Sequence, residues 1–173
     1  MATVCLNQRL KFSPIRLRTK TATLEYVVSR VQFRSHVWRI INIYRPGSKK
    51  ATKTFFIELE DIIKKVQYAK EEVLVTGDLN IPMNQKSNNN KKALIDLLAK
   101  YGLTQNVTHA MHEKGNVIDL VCSSDLTGVR VKDVKLPSDH YLLTWFPVKK
   151  GSKRDKRDWI MHKYPDSGYC DDG

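Results

Sequence analysis

Three stretches of the chain set short polar residues inside or directly after apolar runs. Val73-Leu74-Val75-Thr76 leads through Gly77 to Asp78 and Asn80; Val117-Ile118 and Leu120-Val121 flank Asp119; Lys135-Leu136-Pro137 leads to Ser138-Asp139-His140. A carboxylate between Ile118 and Leu120 is costly to bury unless it is paired or hydrogen-bonded. A histidine is its natural partner. An Asp–His contact fixes the imidazole tautomer and raises its pKa, which suits donation of a hydrogen bond to an anionic transition state. Asp78 and Asp139 add negative charge of the kind that binds Mg²⁺ or Mn²⁺, cations that prefer oxygen ligands. Singly, Gly77-Asp78 reads as a turn, Ser138-Asp139 as a helix N-cap, and Asp119 as a carboxylate satisfied by backbone N–H groups. Together, and with Tyr44-Arg45-Pro46 upstream, they point to hydrolytic chemistry on a phosphate.

Such a site needs strands whose ends converge. Residues 9–20, 23–34 and 37–44 read as strands, the last stopped by the turn chemistry of Arg45-Pro46-Gly47-Ser48. From Thr52 to Tyr68 the period changes: Phe55, Leu59, Ile62 and Val66 recur on one face of an amphipathic helix. Residues 73–76 read as a short buried strand and 84–90 as a polar loop. Ala93, Leu94, Leu97, Leu98 and Tyr101 define a second helix, with Gly102 as its C-cap. The runs 117–122, 129–134 and 141–148 read as strands. No internal repeat is visible. Strands outnumber helices and the connections are mixed, which favours an α/β sandwich with mixed sheets over a doubly wound parallel sheet.

The chain has 173 residues and a formal net charge of +12, and 41% of its residues are hydrophobic, enough for one ordinary core. The charge is concentrated. Residues 1–50 hold eleven Lys and Arg against the single acid Glu25. Arg16, Arg18 and Lys20 alternate with Ile15, Leu17 and Thr19, and Arg30 and Arg34 alternate with Val31 and Phe33. On strands, this period puts each basic set on one face. Such a face suits a polyanion, most plausibly nucleic acid; it equally suits a solvated edge guarded by cations against aggregation. No apolar run reaches the roughly 20 residues a membrane span needs, and Met1 to Leu6 lacks the pattern of a secretion signal. Cys5, Cys122 and Cys170 are odd in number and widely spaced, which speaks against a disulfide framework or zinc site. The expected location is nuclear or cytoplasmic. The charged run 149–157 has no periodicity and begins an expected tail or linker over 149–173, with the folded domain over 1–148. It carries a weak signal for a nuclear address. Asn106-Val107-Thr108 reads as a glycosylation sequon, discounted in a chain without a secretion signal, and Tyr169-Cys170-Asp171-Asp172 reads as a chance likeness to a polymerase motif.

In order and spacing over about residues 10–148, these motifs resemble the endonuclease/exonuclease/phosphatase family, in particular the apurinic-endonuclease-like nuclease domain of non-LTR retrotransposons. Ile41-Asn42-Ile43-Tyr44-Arg45-Pro46 is similar to the family's Tyr-x-Pro strand end. Val73 to Asn80 is similar to its Gly-Asp-Phe-Asn motif, with Leu79 in place of the aromatic. Gln105 to His109 with Asn116 to Val121 resembles its Thr-His…Leu-Asp-Leu-Val stretch, and Ser138-Asp139-His140 its terminal Ser-Asp-His. The resemblance implies a four-layer αββα sandwich and a Mg²⁺- or Mn²⁺-dependent DNA endonuclease. It implies that Asp78 orients and activates the attacking water and that Asn80 hydrogen-bonds the scissile phosphate. His140, oriented by Asp119, then stabilises developing charge, and Asp139 assists the metal or the leaving group. Tyr44, Thr108 and Ser138 face phosphate, DNA is the partner, and a reverse transcriptase domain accompanies such a nuclease in a longer parent protein.

One departure bears on activity. The family carries an Asn and a metal-binding Glu ahead of the basic strands. Asn7 stands in the wrong context for the first, and Glu25, in Thr23-Leu24-Glu25-Tyr26-Val27, matches a later strand glutamate. The expectation is a sandwich lacking its first strands, with weak or absent cleavage by residues 1–173. Two other readings remain: a non-catalytic nucleic-acid-binding remnant using Arg16, Arg18, Lys20, Arg30 and Arg34, and a phosphomonoesterase of the same fold acting on inositol phosphates or lipids.

Overall fold

The computed structural model describes residues 11–33, 36–48, 50–67, 69, 71–85, 87–107 and 117–124, together with the backbone of 129–132 and 142–145. Chain order runs β1 (Lys11–Ile15), β2 (Glu25–Phe33), β3 (His36–Tyr44), α1 (Lys53–Gln67), β4 (Glu72–Asp78), α2 (Asn89–Lys100), β5 (Thr104–Gln105), β6 (Asp119–Ser123), β7 (Val129–Lys132) and β8 (Leu142–Trp145). The first six strands form one mixed sheet in the order β1-β2-β3-β4-β6-β5, while β7 and β8 pair as a separate two-stranded sheet. β3 and β4 are parallel, joined through α1, and their neighbours β2 and β6 run antiparallel to them. The class is α/β, as the mixed pattern of the sequence predicts.

Burial follows from the pleat. Residues in register share a face, so Val28, Ile41, Val75 and Cys122 lie in one row, beside the row of Tyr26, Ile43, Gly77 and Leu120. This face joins the helices in one buried core, to which α1 contributes Phe55, Leu59, Ile62, Ile63 and Val66, and α2 contributes Leu94 and Leu98. The helical period that gathers those residues was legible because it repeats over four turns. The opposite face of the sheet carries Ser29, Trp38, Leu74, Val121 and Ser123, which are buried as well.

The helix ends are set locally. Thr52 Oγ1 accepts from the Phe55 N–H at 3.4 Å, and Asn88 Oδ1 accepts from the N–H groups of Asn90 and Lys91 at 3.0 and 3.2 Å. α2 closes through Gly102, whose N–H donates to Ala99 O while that of Leu103 donates to Leu98 O, both at 2.9 Å.

The first strand departs from expectation. It spans Lys11–Ile15 and does not extend to residue 20. Past Ile15 the chain turns its hydrogen bonds to α1: Thr19 Oγ1 donates to Asp61 at 3.1 Å, and the N–H groups of Ala22 and Thr23 donate to Glu58 at 2.8 and 3.1 Å. Ile15 and Leu17 pack against the core, while Arg16, Arg18 and Lys20 are exposed. The alternation in sequence is thus real, but it records an extended segment lying along a helix. β4 also runs two residues further than expected, through Gly77 to Asp78.

Candidate functional site

The parallel and antiparallel pairings of β4 bring three of the expected site residues into a single row. Tyr44 of β3 is the register partner of Asp78, and Asp78 is the register partner of Asp119 at the start of β6. Neighbouring strands lie about 4.8 Å apart, so Tyr44 and Asp119 flank Asp78 across roughly 10 Å. Tyr44 is 40% exposed, whereas Asp78 and Asp119 are half-buried. Asp119 sits between buried Ile118 and Leu120, as the apolar run requires. Register also places Glu25 beside Tyr44 at the end of the same row.

Backbone geometry explains how the β4 end is aimed. Gly77 has φ +124°, and a Cβ there would stand 1.9 Å from the carbonyl oxygen of Ile43, so only glycine fits. The chain then turns: Asn80 adopts a left-handed φ of 51°, and its N–H donates to Asp78 Oδ1 at 2.8 Å. The Asn80 side-chain amide donates to Asp78 Oδ2 at 3.0 Å and to the carbonyl of Arg45 at 2.8 Å. Both carboxylate oxygens of Asp78 are therefore held by one residue two positions away. Both hydrogens of the Asn80 amide point at acceptors, so contact with a phosphate through Nδ2 requires one of these bonds to be given up.

Beneath this turn lies Arg45, 4% exposed. Its Nε donates to Leu79 O at 2.6 Å, Nη2 to Asn80 O at 2.7 Å and Nη1 to Pro46 O at 3.2 Å. The guanidinium lies 5.6 Å from the centre of the Phe55 ring, and the Arg45 N–H donates to Asp78 O at 2.9 Å. Burial lowers the Arg45 pKa, against which the nearby Asp78 charge acts to raise it. Gly47 completes the frame, since a Cβ there would meet Asn80 Oδ1 at 2.7 Å. Neither Arg45 nor Gly47 was expected from sequence. The only signal was a cation wedged between a site tyrosine and a proline.

The remaining expected residues fall elsewhere. Thr108, Ser138, Asp139, His140 and Arg34 lie outside the described residues. Arg16, Arg18 and Lys20 are exposed on the segment after β1. Arg30 lies five residues along β2 from Glu25, about 17 Å from the row. It pairs through Nε with Glu71 Oε1 at 2.9 Å, and Arg39 takes Glu71 Oε2 at 2.6 Å. The hydrogen bond from Arg39 above all holds the Glu71 carboxyl below its ordinary range, against the opposing effect of burial and with a lesser contribution from the Arg30 hydrogen bond. Burial pushes the Cys122 thiol up to about 12, so it stays protonated and is no nucleophile.

Among the described residues, no three His, Cys, Asp or Glu side chains gather in the manner of a metal cage. The two carboxylates that register sets side by side, Asp78 and Asp119, are oxygen donors of the kind a hard divalent cation takes.

Two carboxylates and a tyrosine in one row at the end of a mixed α/β sheet define a candidate site, and comparison with known proteins places the chain in a class. The family model described as "Endonuclease-reverse transcriptase" matches residues 38–144, and the chain belongs to this family. Its fold is that of the endonuclease/exonuclease/phosphatase proteins. The endonuclease domain of TRAS1, a telomere-specific non-LTR retrotransposon, is similar with a TM-score of 0.66 and 14% identity, over 81% of this chain and 68% of that one. The 3′ phosphatase NExo from Neisseria, solved with a product DNA hairpin, is similar with a TM-score of 0.54 and 15% identity, over 82% and 80%. An endonuclease/exonuclease/phosphatase family protein from Leptotrichia buccalis gives 0.54 and 12%, over 81% and 70%. No curated protein sequence matches.

Proposed function

We propose that this chain is a DNA endonuclease of retrotransposon type that hydrolyses a phosphodiester by attack of water. The observation that carries this reading is the row Tyr44–Asp78–Asp119, with Asp78 fixed at both oxygens by Asn80. In the proposed reaction Asp78 orients the water and takes up its proton at a carboxylate oxygen as the water oxygen bonds to phosphorus. The bond to the leaving oxygen breaks on the opposite side. Tyr44, exposed beside Asp78, contacts a phosphate oxygen, as does Thr108. Asp119 orients His140, whose ring N–H donates to the charge that develops on the phosphate, and Ser138 has a phosphate-binding role. Asn80 holds Asp78 in place and reaches the phosphate on exchanging one of its present acceptors. Preorganised donors aimed at the developing charge are usually the largest single contribution to the rate of such reactions.

Asp139 is the residue assigned to Mg²⁺ or Mn²⁺, which would supply charge neutralisation on the phosphate when bound. No glutamate of this sequence takes the family's metal-anchoring role by resemblance, so cleavage by residues 1–173 is expected to be slow. The family description supports a reverse transcriptase domain as companion in a longer parent protein; the setting we propose is nuclear or cytoplasmic. No helix among the described residues is long and apolar enough to cross a membrane.

The test compares substrates. Residues 1–173 are incubated in excess over supercoiled plasmid or over a phosphoinositide, with and without Mg²⁺. The expected result is slow, Mg²⁺-dependent nicking of plasmid and no phosphate release from the lipid. Phosphate release with intact plasmid would turn the reading to a phosphomonoesterase. Salt-sensitive DNA binding with no nicking at all would turn it to a binding remnant.

A further inference from the structure

We propose that Arg45 is a positioning residue, acting through the Leu79–Asn80 turn to aim the Asp78 carboxylate. This rests on the reading of Asp78 as a site residue. A guanidinium has five N–H donors and no acceptor, and at 4% exposure few of them reach water. Here three nitrogens find carbonyl oxygens, and two of those carbonyls, Leu79 O and Asn80 O, belong to consecutive residues of the turn. One planar fork spans both from two separate nitrogens, a geometry that the compact ammonium of lysine does not reproduce.

The backbone of Arg45 completes the hold. Its N–H donates to Asp78 O and its carbonyl accepts from the Asn80 amide, so the residue grips Asp78, Leu79 and Asn80 from main chain and side chain together. Asn80 sits at a left-handed φ of 51°, a conformation that costs free energy for a residue with a Cβ unless its surroundings enforce it. Arg45 supplies that enforcement. Phe55, from the first turns of α1, closes the far side of the guanidinium, so α1 is coupled to the aim of Asp78 through one side chain. Tyr44 and Arg45 thereby divide two tasks between adjacent residues: Tyr44 is exposed toward the substrate side, and Arg45 is turned under the turn.

The test uses Arg45→Lys and Arg45→Met in residues 1–173, with Asp78→Asn as the reference for loss of the reaction. Thermal melting reports folding, and two-dimensional NMR reports the Asn80 backbone and side-chain amide protons. The expected result for Arg45→Lys is a cooperative melt and faster exchange of both Asn80 amides. With it goes a fall of roughly tenfold to a hundredfold in the single-turnover nicking rate, the scale of a misplacement near 1 Å, with DNA affinity unchanged. Unaltered Asn80 exchange in a folded Arg45→Lys variant overturns the proposal, whether or not the wild-type chain nicks DNA. Loss of DNA affinity with the nicking rate intact overturns it also, since Arg45 would then contact substrate. Should Arg45→Met fail to melt cooperatively, the lysine variant alone decides. Absence of nicking by wild type, with Asn80 exchange responding to Arg45→Lys, would strike the nuclease reading and leave the clamp standing.

Discussion

Gly77 and Asp78 show how narrow the tolerance is around a single carboxylate. The Ile43 carbonyl occupies the place a Cβ would take at Gly77, and it is backbone in the neighbouring strand, so it cannot swing aside. Gly77→Ala must part β3 from β4 or twist the strand end. We expect a loss of about 3 kcal/mol or more in unfolding free energy, measurable by urea denaturation; a loss under about 1 kcal/mol would show that the strand end yields easily. At this scale the sequence was informative about chemistry and silent about support. Asp78 and Asp119 stood out because carboxylates end or interrupt apolar runs. Arg45 did not, because a cation before a proline looks solvated, and the carbonyls that bury it come from residues 34 and 35 positions later. Asn80 was expected to face phosphate; its two bonds to Asp78 depend on a left-handed turn that residue types alone do not fix.

The elements were more legible than their ends. α1 and α2 could be read from period alone, since each repeats its apolar face over several turns, and β3 and β4 from their apolar runs. The first strand was overextended for a physical reason: an extended segment packed along a helix alternates just as a strand does, and period two cannot tell them apart. What ties strands to the rest is equally invisible locally. Glu71, in the turn before β4, collects Arg30 of β2 and Arg39 of β3. Because the folded protein holds this carboxyl below the ordinary glutamate value, the unfolded chain binds the proton more tightly as the pH falls. Its contribution is therefore present above the unfolded-state pKa and is lost as pH drops through the folded-state one. Measured by denaturation between neutral pH and acid, Glu71→Gln should be less stable than wild type at neutral pH. The gap should close as acid protonates Glu71. A gap that stays constant would mean that the ion pairs contribute nothing. The contribution is modest, because Arg30 is 36% exposed.

Across the whole molecule, the excess of twelve positive charges acts on any polyanion before the site does. The structure divides the basic residues. Arg30 is paired with Glu71, whereas Arg16, Arg18 and Lys20 are exposed along α1. If that exposed set meets DNA phosphates, combining Arg16→Ala, Arg18→Ala and Lys20→Ala should lower the slope of log affinity against log salt by about 2 to 3, while Arg30→Ala leaves it nearly unchanged. Equal effects would contradict the division. The register of three strands, the Asn80 turn and the buried Arg45 converge on Asp78. The most direct measurement is single-turnover nicking of supercoiled plasmid with Mg²⁺, comparing wild type with Asp78→Asn, which keeps one of the two side-chain acceptors and removes the charge. We expect slow nicking by wild type and a loss of at least about a hundredfold in the variant, with a cooperative melt showing that it still folds. Equal nicking by the two, or none by wild type at any protein or Mg²⁺ concentration, would contradict it.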